Sequence, residues 1–188
     1  MRDIFKPSLV VLSGPPLHGK STVGECLAAL SNLVHIDVDM VRRQHFPGKT
    51  GMLLPKDEEI SVMCRTYEYA LAEVARLIAA GTPVVLSGTC SRAKFKNLVV
   101  RFMVGHSNVP ARIFRLDIGS FDVIRERIAS RATADTLSPI KTEEQYRWAL
   151  GIVEPWLGNL QPTIIDAEQS VESITEDVLN NLSNLQLA

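Results

Sequence analysis

The sequence predicts an α/β fold, a five-stranded parallel sheet covered by helices on both faces. Two observations carry that expectation. Five short runs are almost wholly apolar, as strands buried on both sides of a parallel sheet must be, and each is followed by a polar turn and a helical stretch. Alternation of that kind builds a parallel sheet through crossover helices, with ligands above the carboxyl ends of the strands.

The first run, residues 8–13, ends at Gly14. The others cover residues 33–37, 83–87, 111–116 and 162–165. Between the second and third runs, Ile60, Met63, Tyr67, Leu71, Val74 and Ile78 recur at steps of three and four. That spacing predicts an amphipathic helix of about six turns, stopped by Gly81 and Pro83. A second stripe, Val171, Ile174, Val178 and Leu182, predicts a closing helix with Glu172, Glu176 and Asp177 on its polar face. Both stripes read as core packing. Further helices are expected over residues 20–30, 91–104, 120–131 and 142–156. Residues 46–55 and 132–139 lack periodicity, and aperiodic stretches of that length in a compact domain read as flaps or lids. Trp148 and Trp156, eight apart in the last of these helices, fit core packing or a dimer face equally.

A chain of 188 residues that is 46% hydrophobic can bury one sizeable core, so one domain over residues 1–188 is expected. Its 20 Lys and Arg against 21 Asp and Glu leave a formal charge of -1, which provides no global field to draw in nucleic acid or an anionic membrane. Any anionic partner must be bound locally. Cys26, Cys64 and Cys90 are odd in number and show no metal-ligand spacing, which reads as reduced thiols in a cytoplasmic protein. The first seven residues carry charges at Arg2, Asp3 and Lys6 and lead into an apolar run too short for a signal sequence or a membrane span.

Gly14-Pro15-Pro16-Leu17-His18-Gly19-Lys20-Ser21 fits G-x-x-x-x-G-K-[ST], and Thr22 follows it. The motif lies where its mechanism needs it, after a buried strand and opening a helix. Gly14 and Gly19 permit the turns that aim successive N–H groups at phosphates, while the helix N-terminus adds partial positive charge. Lys20 is expected to bridge the β and γ phosphates of ATP, and the Ser21 hydroxyl to ligate Mg²⁺. Pro15 and Pro16 remove two N–H donors, so the cradle relies on the later amides. His18 is expected to face solvent.

The second strand ends in Asp37-Val38-Asp39, with Arg42 three residues beyond. Alternate positions at a strand end face opposite ways, so one of the two carboxylates is expected in the cleft, and Asp39 is favoured. If a helical turn begins there, Asp39 and Arg42 share a face. A carboxylate able to take a hydroxyl proton then lies beside a cation able to hold acceptor or phosphate. An Asp cap with a surface salt bridge is the plainer alternative. Arg127 and Arg131, four apart on one helix face, immediately precede the aperiodic stretch, and a lid around 127–141 is expected to bring them to the transferred phosphoryl group. A solvated basic face is the alternative there.

Gly14 to Thr22, followed by His35-Ile-Asp-Val-Asp-Met-Val-Arg42, resembles the P-loop kinases that phosphorylate hydroxyls: polynucleotide 5′-kinases, zeta-toxin-type kinases, and the gluconate, shikimate and chloramphenicol kinases. Val123 to Arg131 resembles their lid helix. The resemblance implies a three-layer P-loop NTPase fold, a general-base or acceptor-orienting role for Asp39, and Arg42 in the acceptor or phosphate site. Where polynucleotide-kinase-like members often have an aspartate, and zeta-type members a glutamate before Gly-Thr, this chain has Ser87-Gly88-Thr89. Ser87 could reach Mg²⁺, and Thr89 or Arg92 the acceptor; an ordinary strand-end turn reads equally well. Residues 46–55 and the start of the long helix, around Met63 and Tyr67, would line the acceptor pocket in such a fold. The expected function is therefore ATP-dependent transfer to a small-molecule or nucleotide hydroxyl. A polynucleotide or nucleotide-sugar kinase is the enzymatic alternative, although the sequence shows no strong nucleic-acid signal. A regulatory or degenerate ATP-binding module is the non-enzymatic one.

Overall fold

The computed structural model describes residues 8–49, 54–133, 139–156, 158 and 160–183. Five strands, β1 (Leu9–Ser13), β2 (Val34–Asp37), β3 (Val84–Ser87), β4 (Ala111–Asp117) and β5 (Thr163–Asp166), pair in the order β2-β3-β1-β4-β5, every pair parallel. The register aligns Leu12 with Ser87 and Asp37 with Ser87, so the carboxyl ends of β1, β2 and β3 finish at one level. Chain order reverses about β1, and the crevice above that reversal is where such sheets bind ligands.

Seven helices are formed among the described residues: α1 (Lys20–Leu30), α2 (Val38–His45), α3 (Lys56–Ala79), α4 (Ala93–Gly105), α5 (Phe121–Thr133), α6 (Glu143–Gly151) and α7 (Val171–Ser183). Each strand of the sequence reading is present within a residue of its expected bounds. The reason is visible in β1, where Leu9 and Val11 pack with Tyr67, Val74, Phe95 and Val99 of α3 and α4 on one face. Val10 and Leu12 pack with Val23 and Leu27 of α1 and Val178 of α7 on the other. Both faces are dry, and burying each such side chain contributes roughly 1.5–3 kcal/mol. The result is the three-layer α/β fold that the sequence predicts.

Two helices differ from expectation. Helix α2 has only a short apolar stripe, Val38 and Val41 packed on the core, and starts at Asp37, whose side chain accepts from the Asp39 and Met40 amides. Helix α6 ends at Gly151 rather than at residue 156, because Pro155 cannot continue a helix and disfavours helical geometry at Glu154. Trp148 and Trp156 consequently do not share a helix. Trp148 is on α6 and partly exposed, whereas Trp156 is buried with the Lys96 ammonium 5.5 Å from its ring.

A third apolar cluster stands apart from the sheet. It joins Leu17 to Ile124 and Ile128 of α5, Ile140, and Tyr146 and Ala149 of α6. Residues 134–138 of the expected lid lie outside the described residues, as do residues 50–53 of the expected flap. No helix among the described residues is long and apolar enough to cross a membrane. The cysteines Cys26, Cys64 and Cys90 are all free.

Candidate active site

The loop between β1 and α1 is shaped by two glycines. Gly14 has φ +137°, and a Cβ there would stand 2.4 Å from the Leu116 carbonyl oxygen at the end of β4. Gly19, with φ +83°, is the N-cap of α1 and gives the helix no side-chain cap; no acidic residue occupies the first turn. The helix therefore presents its first amides and the positive end of its dipole to the cleft uncompensated. Lys20 donates to the Pro15 carbonyl at 2.7 Å, so one of the two loop prolines contributes an acceptor that holds the ammonium. Burial pushes the Lys20 pKa down to about 8, opposed by the charges of Asp39 and Asp37.

Both aspartates after β2 reach the cleft, contrary to the expectation that only one does. Strand alternation does not apply, because α2 begins at Val38 and turns the chain between them. The Asp37 carboxylate has two tasks. One oxygen caps α2, accepting from the Asp39 amide at 2.7 Å, and the other accepts from Ser21 Oγ at 2.5 Å. The capping alternative thus belongs to Asp37. Asp39 is exposed and pairs with Arg42 at 3.4 Å, the shared helical face that the spacing predicts. Arg42 itself is buried, and its Nε has no hydrogen-bond partner among the described residues.

At the end of β3, Ser87 Oγ lies 2.8 Å from His35 Nε2. Burial holds the His35 imidazole below the usual histidine range. The ring rests on Gly24 of α1, where a Cβ would come within 2.4 Å of Nε2. Alanine in place of a mid-helix glycine normally stabilises by about 1 kcal/mol, but overpacking costs about 1–3 kcal/mol. Gly24→Ala is therefore expected to lower the urea midpoint. Gly105→Ala, at a glycine with nothing within 4 Å, is expected to leave it level or raise it. Gly88 also sits under crowding, since a Cβ there would stand 2.9 Å from the Tyr67 hydroxyl. Tyr67 lies in the core and not on the acceptor pocket: it is buried, and its hydroxyl accepts from the Cys90 amide at 2.9 Å. Met63, one turn earlier, does line the cleft.

These elements enclose a cleft of about 490 Å³, within the range of small-molecule sites. Pro16, Leu17, Gly19, Lys20, Ser21 and Thr22 of the phosphate loop line it, as do Asp39, Arg42 and Thr89. Gly14 and Pro15 support the loop from outside the cleft wall. Arg131 lines the cleft; Arg127 does not, being tied through its guanidinium to the Leu17 and Ala167 carbonyls at 2.8 Å each. Arg92 is turned away into a buried pair with Glu59 at 3.1 Å, so Glu59 is the member that faces the cleft. The sequence offers no sign of Glu59, which stands among three acidic residues in the first turn of α3. It likewise offers no sign that Trp148 and Ala149 of α6 and its C-cap Ile152 would line the same cleft.

His18 does not face solvent. It is 1% exposed, with Nδ1 3.0 Å from the Leu116 carbonyl and Nε2 3.1 Å from the Tyr146 hydroxyl. A polar residue in a glycine loop would ordinarily be solvated, but α5 and α6 fold over this one.

A family model described as an AAA domain matches residues 9–155. The chain belongs to the AAA domain family. Among solved structures, this AAA domain chain is similar to a sugar kinase from Janibacter sp. HTCC2649, with 16% identity and a TM-score of 0.67 over 93% of each chain. It is similar also to a gluconokinase from Sinorhizobium meliloti 1021, with 21% identity and a TM-score of 0.63 over 98% of this chain and 95% of that one. A shikimate kinase from Aquifex aeolicus vf5 shares 18% identity and a TM-score of 0.57 over 96% and 99%. The comparison with curated proteins gave no match. At these identities the likeness is one of fold, and the AAA domain carries the P-loop fold that its sequence resemblance implies.

Proposed function

We propose that this chain is an ATP-dependent kinase that transfers the γ-phosphoryl group to a hydroxyl of a small molecule or nucleotide. The observation that supports it best is a single cleft lined both by Lys20 and Ser21 of the phosphate loop and by Asp39. The residues fit magnesium nucleotide. Lys20 has only a carbonyl as hydrogen-bond partner among the described residues, and Ser21 Oγ with Asp37 forms a pair of hard oxygen donors of the kind Mg²⁺ takes.

In this reading Asp39 orients the acceptor hydroxyl and takes its proton. The acceptor oxygen bonds to the γ-phosphorus as the bond to the ADP oxygen breaks. Lys20 and Arg131 offset the charge carried by the transferred group, while Arg127 keeps the loop in place. Sugar kinase, gluconokinase and shikimate kinase as fold neighbours support a small hydroxylated acceptor. Met63, Trp148 and Ile152 add apolar lining to the cleft that Asp39 and Arg42 also line, which suits an acceptor that carries an apolar face beside its hydroxyl. The chain is proposed to work as one domain in the cytoplasm, where three free cysteines stay reduced.

A second reading, a regulatory or degenerate ATP-binding module, draws support from Ser87 at a strand end where a metal-holding carboxylate is usual. Transfer of labelled γ-phosphate separates the two, with nucleosides, sugars, sugar acids, hydroxylated antibiotics, nucleotide sugars and 5′-hydroxyl oligonucleotides offered in parallel. Label on one pool is expected; ATP binding with no label on any pool supports the module, and label on oligonucleotides alone supports a polynucleotide kinase.

A further inference from the structure

Two side chains of the phosphate loop pack toward α5 and α6. Leu17, held at φ +71°, is buried among Ile124, Ile128, Ile140, Tyr146 and Ala149. His18, beside it, has both ring nitrogens engaged. The Leu116 carbonyl can only accept, so Nδ1 carries the hydrogen, and the bare Nε2 must accept from the Tyr146 hydroxyl. That state is the neutral imidazole, and burial, the largest influence, pushes its pKa down to about 4. The bond is thus intact throughout the neutral range.

Side chains also tie α6 to α5, and the chain just beyond α6 is anchored at the start of α4 by Glu154, whose amide donates to the Ser91 carbonyl and whose carboxylate accepts from the Ala93 amide at 2.5 Å. Arg125 of α5 pairs with Glu143 at 3.0 Å, and Arg147 lies over the Phe121 ring at 4.4 Å. Lys141, just before α6, donates to the Arg131 carbonyl at 2.8 Å. Side chains thus join the two helices. Among the described residues, the pair reaches the phosphate loop through the Leu17 cluster, the Arg127 bond to the Leu17 carbonyl and the Tyr146 bond to His18. The same helix α6 brings Trp148 and Ala149 to the cleft, followed by its C-cap Ile152.

We infer that the His18–Tyr146 hydrogen bond couples the two halves of the site, so that a nucleotide settling on the loop moves α6 and with it the cleft lining that α6 supplies. Gly19 and Lys20, which immediately follow His18, line the cleft at the uncapped start of α1, where a phosphate would bind, and a shift there displaces a ring held between β4 and α6. Coupling of this kind is reciprocal, so acceptor binding against α6 tightens nucleotide binding through the same bond. Tyr146 is in this sense a positioning residue. The inference rests on nucleotide binding as proposed above, but not on the identity of the acceptor.

Trp148 makes a reporter on α6, and Trp156→Phe removes the other tryptophan of the chain. In that background, β,γ-imido-ATP with magnesium is titrated by calorimetry and by Trp148 emission. Both signals are expected, with one midpoint. Adding Tyr146→Phe is expected to keep the calorimetric affinity within about twofold while cutting the emission change to less than about a fifth. Because Tyr146→Phe leaves a buried nitrogen unpaired, His18→Leu with Tyr146→Phe serves as the second variant; it replaces both partners by apolar groups and should fold with the response equally lost. A full Trp148 response in either variant overturns the inference, as does heat of binding without any Trp148 response in the parent. Absence of heat in the parent overturns the nucleotide reading instead, and the coupling with it.

Discussion

Lys20→Ala is expected to lower γ-phosphoryl transfer by about 10³-fold or more, the scale on which a group aimed at developing charge in a water-poor site is lost. The fold should survive, because the Lys20 side chain holds only the Pro15 carbonyl, and the turn itself is fixed by Gly14 and Gly19. A second signature is a pH dependence that the variant lacks. Burial has brought the free Lys20 ammonium to about 8, and phosphate beside it favours the charged form, so the pKa rises on binding. Binding then takes up a proton wherever the free lysine has lost one. Nucleotide affinity is expected to be level below about pH 7 and to fall as pH climbs through about 8, by up to about tenfold per unit. In Lys20→Ala the affinity is lower, and that slope is absent. Full turnover in a folded variant would remove the assignment of the loop.

The phosphate site was legible in the sequence because its determinants are local: eight consecutive residues set the turn, and a buried strand and a helix flank it. The strands were legible for a related reason, since a run such as Leu9 to Leu12 must be apolar at every position when both faces are covered. What was not legible depends on distant partners. The environment of His18 is decided by Tyr146, 128 residues away. Arg92 looked like an acceptor ligand until Glu59, 33 residues before it, claimed its guanidinium. Helix α2 was visible only as a possible turn, because Val38 to His45 offers just two core positions, Val38 and Val41, and its start depends on the Asp37 cap. The departure at Ser87-Gly88 gains a physical account from the packing. Ser87 is held by His35, and Gly88 leaves room for the Tyr67 hydroxyl and Val38, so a larger residue at position 88 would have to displace the wall of the core.

The two carboxylates after β2 have different surroundings, and their asparagine variants are expected to fail differently. Asp39→Asn is expected to reduce transfer by about 10²–10⁴-fold, the usual contribution of a positioned general base. Nucleotide affinity and magnesium dependence should stay nearly unchanged, because Asp39 faces Arg42 rather than Ser21. Asp37→Asn retains a capping oxygen for α2, so its effect on stability should be small. It removes the negative charge next to Ser21 Oγ, and the magnesium needed for half-maximal transfer is expected to rise by about tenfold or more, with turnover largely recovered at saturating magnesium. Titrating magnesium at saturating ATP and acceptor in both variants separates the roles. If Asp37→Asn cannot be recovered by magnesium while Asp39→Asn turns over normally, the base is Asp37, and the Asp39–Arg42 pair serves only to hold α2. The reverse result leaves Asp39 as the group that meets the acceptor and ties Asp37 to the metal, which then has a carboxylate beside Ser21 although the third strand ends in Ser87.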